Sequence, residues 1–298
     1  VLKQTTIKKR IEGVGIGLHK GEPIKIALEP LGEDSGIIFY RQDVGVSIKA
    51  EPKSVINTQM ATVIGNSNGV YVSTIEHLLS AINSYGIDNI RVVLDANEPP
   101  VMDGSSIGFC MMLDEAGTKP LDKNKNIMVI KKEVTVKKGD KFVSIKPSNS
   151  PKFNYTIKFN HPVIGEQNYE FEFSKQNYIK EIARARTFGF LKDVQALRAQ
   201  NLALGGSLEN AVVMDDNSIL NPGGLRFENE FVRHKILDAI GDLALMGMPI
   251  LGDYTAFAGS HELNHLLTLE ILSDAKNYEV VNLIDKAFAK EYAKVFAW

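Results

Sequence analysis

The sequence predicts an α+β protein of two domains with similar topology, each a β-sheet packed with helices. Three observations carry that expectation. The chain has 298 residues, long for a single core and suited to two of roughly 120–170 residues each. Strand-like segments followed by helices occur once before residue 120 and again after residue 127. Between them, residues 118–126 are polar, carry Pro120 and have no apolar period, which makes them the natural boundary. Domains are therefore expected over 1–120 and 127–298. No sequence repeat accompanies the duplication, so it concerns architecture alone.

The elements follow in order. Residues 3–72 read mostly as strands, among them 24–28, 37–40 and 69–72, separated by turns containing Gly, Pro and Asp. Thr74 is expected to cap a helix running from about Ile75 to Ser84, in which Ile75, Leu78, Leu79 and Ile82 recur at helical spacing. A strand over 90–94 comes next, and Ser105 or Ser106 opens a helix that ends near Gly117. In the second half, strands are expected at about 127–136, 141–146, 153–159 and 168–173. A helix should run from about Glu230 to Met246. Another should begin near Ser260 and continue through Leu263, Leu266, Leu267 and Leu269 to Leu272.

Composition narrows the class. An apolar fraction of 44% and a charged fraction of 23% are those of a soluble globular protein with apolar material for two cores. The formal net charge is −2 and no long run of like charge occurs, which argues against nucleic acid or an anionic membrane as partner. Cys110 is the only cysteine, so an intrachain disulfide and a cysteine-rich metal cluster are both excluded. It also suits a reducing compartment. No segment approaches 18 consecutive apolar residues and the first residues lack an apolar signal core, so the expected location is the cytoplasm. An amphipathic substrate would then be met at a membrane surface, by transient contact and without an anchor.

The densest chemistry lies on the helix near residue 234. At about 100° per residue, His234, Asp238 and Asp242 fan over only about 80°. Ile236, Leu237, Ile240, Leu243 and Ala244 occupy the other side. Two ligand-type side chains one turn apart can chelate one metal ion. The alternative is a solvated face on which Asp238 pairs with Lys235 or Arg233, and spacing alone leaves both open. A further ligand candidate is His77, which follows Glu76 on an otherwise apolar helix. Two histidines and one aspartate would leave a coordination position open for water, the pattern of a catalytic zinc site. Zinc lowers the pKa of such a water toward about 7, and a nearby glutamate can accept its proton. Nothing in the spacing itself joins His77 to a helix roughly 150 residues away.

His261 starts the last helix, where the dipole lowers a histidine pKa unless a carboxylate offsets it. It is a general acid if Asp242 holds it, and a surface capping residue otherwise. His19 and His161 have weaker claims, and His265 reads as a solvent-facing helix residue. The glycine-rich stretch 13–17 lacks both the strand-to-helix setting of a dinucleotide site and the lysine of a phosphate loop.

Several stretches together carry a resemblance. They are GIGLH at 15–19, STIEHL at 73–78, MDGS at 102–105, RARTFGF at 184–190, LGGS at 204–207, GLRFENEFVRHK at 224–235 and LDAIGD at 237–242. In order and with small gaps, over nearly the whole chain, they resemble the UDP-3-O-acyl-N-acetylglucosamine deacetylases of lipid A biosynthesis in Gram-negative bacteria. The resemblance implies two α+β domains whose helix layers sandwich the active site. It implies one catalytic zinc ion held by His77, His234 and Asp238, with Glu76 as general base. His261 becomes the general acid or the electrostatic partner of the oxyanion, oriented by Asp242, while Thr187 and Lys235 stabilise the tetrahedral intermediate. The implied reaction hydrolyses the acetamide of a UDP-linked acylated glucosamine and releases acetate.

The same resemblance implies an acyl-chain passage along 190–197, through Phe190, Leu191 and Val194. Leu18, Leu208 and Val213 would form walls, with Phe188 and Gly206 as further substrate contacts. The plainer reading of 190–197 is an ordinary core-facing helix. Phe159 would stack on uracil and Lys141 would contact the diphosphate. A small-molecule substrate, no nucleic acid and a monomeric enzyme complete the expectation. Two departures from the family pattern stand out: Ala203 where some members carry cysteine, and Ser260 where glycine is expected before His261. Competing functions are another zinc amidase acting on an acylated sugar, and a binding module that keeps the fold. The intact set Glu76, His77, His234, Asp238 and His261 argues against the binding module.

Overall fold

The computed structural model describes residues 2–282 together with 290, 295 and 296. The rest of the expected second domain beyond residue 282, and residue 1, lie outside the described residues. Two sheet-plus-helix units of the same plan make up the mixed α/β structure.

In the first unit, β1 (Lys3–Ile7) leads into two hairpins, β2 (Ile11–Ile16) with β3 (Pro23–Pro30), and β4 (Ile37–Arg41) with β5 (Val46–Lys49). A small sheet of β6 (Val55–Asn57), β7 (Val63–Gly65) and β8 (Tyr71–Val72) follows, then α1 (Glu76–Ser84). The chain returns as β9 (Ile90–Leu94), which inserts between the hairpins, antiparallel to β3 and parallel to β4. It ends in α2 (Ile107–Ala116). Buried and exposed positions alternate through much of β3, as expected of a sheet covered on one face.

The second unit repeats this plan. After β10 (Thr118–Asn124) and β11 (Asn126–Ile130) come the hairpins β12 (Val134–Lys138) with β13 (Lys141–Lys146), and β14 (Lys152–Lys158) with β15 (Glu166–Glu172). An irregular insertion carries α3 (Lys175–Glu181), β16 (Phe188–Phe190), α4 (Leu191–Ala199) and β17 (Val212–Met214). Then α5 (Glu230–Leu243) and β18 (Ile250–Leu251) precede β19 (Asp253–Phe257), which inserts antiparallel to β13 and parallel to β14. The unit closes with α6 (His261–Ser273) and β20 (Tyr278–Asn282). Each unit is therefore two hairpins, an insertion, a helix, a central strand and a helix.

Helix α1 packs along α5 and joins the units. Eight residues of α1, Glu76 to Ile82 and Ser84, are buried, and α5 is buried on nearly every side. A helix buried all round belongs to the inside of a larger core. The apolar side chains of both units accordingly form one large cluster, running from Ile24 and Phe39 through Leu78 and Ile240 to Tyr254, with Ile127, Leu251 and Phe296 grouped apart from it among the described residues.

Three expectations need correction. Thr74 does not cap α1: Ile75 occupies the cap position without a side-chain bond, and Thr74 lies in the left-handed region at φ 56°. The stretch 118–126 is not an irregular connection. Its residues 118–124 form β10, paired antiparallel with β1. Strand β10 has no buried residue, so hydrogen bonding to β1 rather than burial defines it and no apolar period marks it. The expected strand over 127–136 is two strands, β11 and β12, in different sheets.

Candidate metal centre and active site

The seam between α1 and α5 gathers the polar residues of both helices. Gly241 makes the approach possible, because a Cβ there would lie 2.0 Å from the carbonyl oxygen of Glu76. Glu76 and His77 on the first turn of α1 are thereby pressed against the middle of α5. The stripe His234, Asp238, Asp242 faces this interior, and all three side chains are buried, which excludes the solvated-face alternative.

Asp238 sits at the centre. Its Oδ1 lies 3.4 Å from His77 Nε2 and 3.3 Å from His234 Nε2. That oxygen is buried and takes no hydrogen bond among the described residues. Its Oδ2 accepts a hydrogen bond from Lys235 Nζ at 3.4 Å. His234 Nδ1 faces the carbonyl oxygen of Ala185 at 2.9 Å, a contact that places the proton on Nδ1 and leaves the Nε2 lone pair free. One ligand atom each from His77, His234 and Asp238 lies within 4.8 Å of the others. Bonds of about 2.0–2.1 Å to a tetrahedral ion put neighbouring donors about 3.3–3.4 Å apart, so the set fits zinc. Two neutral imidazoles and a carboxylate are also the donor chemistry zinc takes.

A brace of charges positions this set. Arg186 donates from Nε to Glu230 Oε1 at 2.8 Å and from its terminal nitrogen to the carbonyl of Gly224. Glu230 also accepts the backbone N–H groups of Arg186 and Arg226. This ties 184–190 to the start of α5 and presents the Ala185 carbonyl to His234. Burial alone would raise the Glu230 carboxyl, but the Arg186 side chain and the two N–H donors outweigh it and hold it below its usual range.

Beside the three donors lies a second constellation. His261 Nε2 is 3.6 Å from Glu76 Oε1, and His261 Nδ1 is 2.7 Å from Asp242 Oδ2. Thr62 donates from its backbone N–H to Glu76 Oε2 at 3.1 Å and from its hydroxyl to Asp242 Oδ1 at 2.6 Å. Asn264 Nδ2 donates to Asp242 Oδ2 at 2.9 Å, and Tyr254 donates in turn to Asn264. Burial pushes the His261 pKa down, but the carboxylates of Asp242 and Glu76 more than reverse this and push it up to about 10. At neutral pH His261 is thus an imidazolium between two carboxylates, the form a general acid needs. Burial raises the Glu76 carboxyl against the opposing charges of His261 and His77. Asp238 is held well below its usual range: burial raises it, and His234 and Lys235 outweigh that.

A cavity of about 340 Å³ opens onto both constellations, lined by Lys141, Lys158, Phe159, Thr187, Phe188 and Lys235 together with His234, Asp238 and His261. Thr187 is fixed by its backbone, which donates to the Gly104 carbonyl and accepts from Val212, both at 2.8 Å. Phe159 meets Phe188 edge-on at 5.8 Å and Phe190 at 6.1 Å between ring centroids. Leu18 Cδ1 lies near Gly206, Val194 near Gly189, and Val213 pairs with Gly189 across β16 and β17. Leu191, Val194, Leu18, Gly206, Leu208 and Val213 do not line the cavity, and Leu208 is an exposed leucine. Helix α4 has no buried residue, so the plainer reading of 190–197 as a core-facing helix is wrong.

Other expectations resolve locally. Ser260 has extended backbone and caps α6, its hydroxyl accepting from Leu263 N at 3.1 Å, so glycine is not needed there. His265 is half-buried rather than solvent-facing, with a buried Nδ1. His161 is bound in a turn, with Nε2 against the Asp215 carbonyl and Nδ1 accepting from Val163 N. Sequence reasoning missed Thr62, Asn264, Tyr254 and Lys158. Asn264 carries a signal, three residues after His261 on one helix. Thr62 carries none, since it precedes a three-residue strand.

Comparison with known proteins bears on this geometry. The family model of UDP-3-O-acyl N-acetylglycosamine deacetylase matches residues 4–273. A protein of Campylobacter hominis is 72% identical over 296 residues, covering 99% of this chain and all of that protein. A protein of Campylobacter fetus subsp. fetus is 71% identical with the same coverage, and one of Campylobacter jejuni subsp. jejuni serotype O:2 is 67% identical. All three carry the name UDP-3-O-acyl-N-acetylglucosamine deacetylase.

Proposed function

The chain belongs to the UDP-3-O-acyl N-acetylglycosamine deacetylase family and acts as that deacetylase in lipid A synthesis, and we propose that it does so as a zinc-dependent hydrolase. The observation that carries the proposal is the convergence of His77, His234 and Asp238 Oδ1 on one point, with Glu76 and His261 alongside. A zinc ion bound there supplies a Lewis acid for the acetamide carbonyl and a more acidic water.

The protein's own groups do the rest. Glu76 Oε2 is occupied by the Thr62 N–H, which leaves Oε1 to take the proton lost by the attacking water. Attack on the acetamide carbon generates an oxyanion, which Thr187 and Lys235 stabilise from the cavity wall. His261 gives its proton to the departing nitrogen, and the C–N bond breaks to yield acetate and the free amine of the sugar. Asp242 holds His261 through Nδ1 and so aims Nε2 at the reacting atoms. The lysines Lys141 and Lys158 at the cavity suit the diphosphate, and Phe159 suits the uracil face. The apolar, half-exposed side chains of α4 suit the acyl chain. We further propose a division of labour between 1–120 and 127–298, and a cytoplasmic monomer that meets its acylated substrate at a membrane surface. Among the described residues no helix is long and apolar enough to cross a membrane.

The test is hydrolysis of the UDP-linked acylated substrate before and after chelation and zinc return, with Glu76→Gln in parallel. Activity should vanish on chelation and come back with zinc. Glu76→Gln should retain zinc while losing roughly 100-fold or more in kcat. Full activity in the chelated protein, or in Glu76→Gln, refutes the proposal.

A further inference from the structure

We propose that Thr62 is a positioning residue that holds the base and the acid assembly of this reaction in register across the seam. The inference rests on the reading of Glu76 as base and His261 as acid. Thr62 is buried, at 2% exposure, immediately before β7 in the small sheet of the first unit. Its two polar donors go to two different carboxylates. The N–H binds Glu76 Oε2, and the hydroxyl binds Asp242 Oδ1 on a helix of the other unit.

Both bonds have consequences for orientation. A carboxylate tied at Oε2 cannot turn that oxygen toward the reaction, so Oε1 faces His261. Asp242 is saturated by three donors: Thr62 at one oxygen, and His261 with Asn264 at the other. Without the Thr62 hydroxyl, Asp242 Oδ1 is left buried and bare, a state that costs free energy unless the carboxylate turns. Any such turn moves the bond to His261 Nδ1, and with it the direction of Nε2. The effect on catalysis therefore runs through Asp242 and His261, while the zinc donors, fixed by Ala185 and Lys235, stay in place.

Valine matches threonine in shape and lacks the hydroxyl, and serine keeps the hydroxyl. In the zinc-loaded full chain, Thr62→Val should lower kcat by roughly 10- to 100-fold, within the range of positioned acid–base catalysis. KM and bound zinc should stay close to the parent, while the thermal midpoint should fall by about 2–4 °C for the bare Asp242 oxygen. Thr62→Ser should restore kcat to within about threefold. If Thr62→Val folds poorly, Thr62→Ala should give the same split between kcat and KM. In a His261→Ala background, Thr62→Val should cost less than about threefold more, because the path it acts through is gone. Parental kcat in Thr62→Val, loss of zinc, failure of serine to rescue, or an additive loss in the His261→Ala background overturns the inference. Failure of the underlying reading is distinct, because His261→Ala alone would then keep its turnover.

Discussion

Asp238 divides its two oxygens between two tasks. Oδ2 answers the cation of Lys235, and Oδ1 faces both imidazoles. Because Oδ1 has no other partner among the described residues, Asp238→Ala should lower zinc affinity at least about 100-fold, read as metal content after dialysis. Lys141 and Lys158 are a different case, since they line the cavity without touching the donor set. Each substitution to alanine should raise KM by roughly tenfold with kcat little changed, the loss expected for one charge-assisted contact. Glu230 supplies a pH test. Its carboxyl is held below its usual range by Arg186 and two N–H groups, so its stabilisation is complete above the ordinary glutamate pKa and is lost as pH falls through the lowered one. Glu230→Gln should cost about 3 kcal/mol at pH 7, because Arg186 is left buried without its partner. Urea titrations from pH 7 to pH 3 should show the gap between parent and variant closing only below roughly pH 4.5.

Among the elements, α5 decides most. Gly241, in its last turn, has a packing reason rather than a conformational one. A methyl group there meets the Glu76 carbonyl at 2.0 Å, against backbone that cannot swing aside. Gly241→Ala should destabilise by roughly 1–3 kcal/mol and lower kcat, because α1 and its Glu76–His77 pair must shift. Thermal denaturation and turnover measured on one preparation check both parts. Helix α6 is set by its cap. Ser260→Ala should cost about 1 kcal/mol and reduce turnover through His261, whereas Ser260→Gly should cost only a few tenths. That ordering explains how serine and glycine can serve the same position.

At the scale of the whole molecule, two units of one plan meet through their buried helices, and the catalytic groups lie on that seam. Glu76, His77 and Thr62 come from one unit, and His234, Asp238, Asp242 and His261 from the other. The seam is part of a single continuous core, so the units should unfold together. We expect one calorimetric transition coincident with loss of far-ultraviolet circular dichroism. Two separated transitions would show that the units are independently stable. Residues 1–120 expressed alone should fail to give a sharp transition, since the buried face of α1 toward α5 would be open to water.

Local pattern determined a good deal by itself. The strand–helix order, the 3.6-residue spacing of α5 and the start of α6 near Ser260 follow from interactions within a few residues, whereas the cap expected at Thr74 did not hold. The stripe of His234, Asp238 and Asp242 was legible for the same reason, as side chains one turn apart on one helix. His77 was a candidate beside Glu76 on its own helix, and the resemblance to a family supplied its link to the His234 and Asp238 helix. What spacing could not supply was any pairing between distant segments. Strand β10 leaves no apolar period, because hydrogen bonds to β1 rather than burial define it. Thr62 gives no sign of reaching Glu76 and Asp242, because a contact 180 residues away in sequence exists only once the two units have packed. The metal donors began as two unconnected patterns. Only the close approach of α1 to α5 at Gly241 brings His77 within 3.4 Å of Asp238, since convergence of side chains from different units is a property of packing.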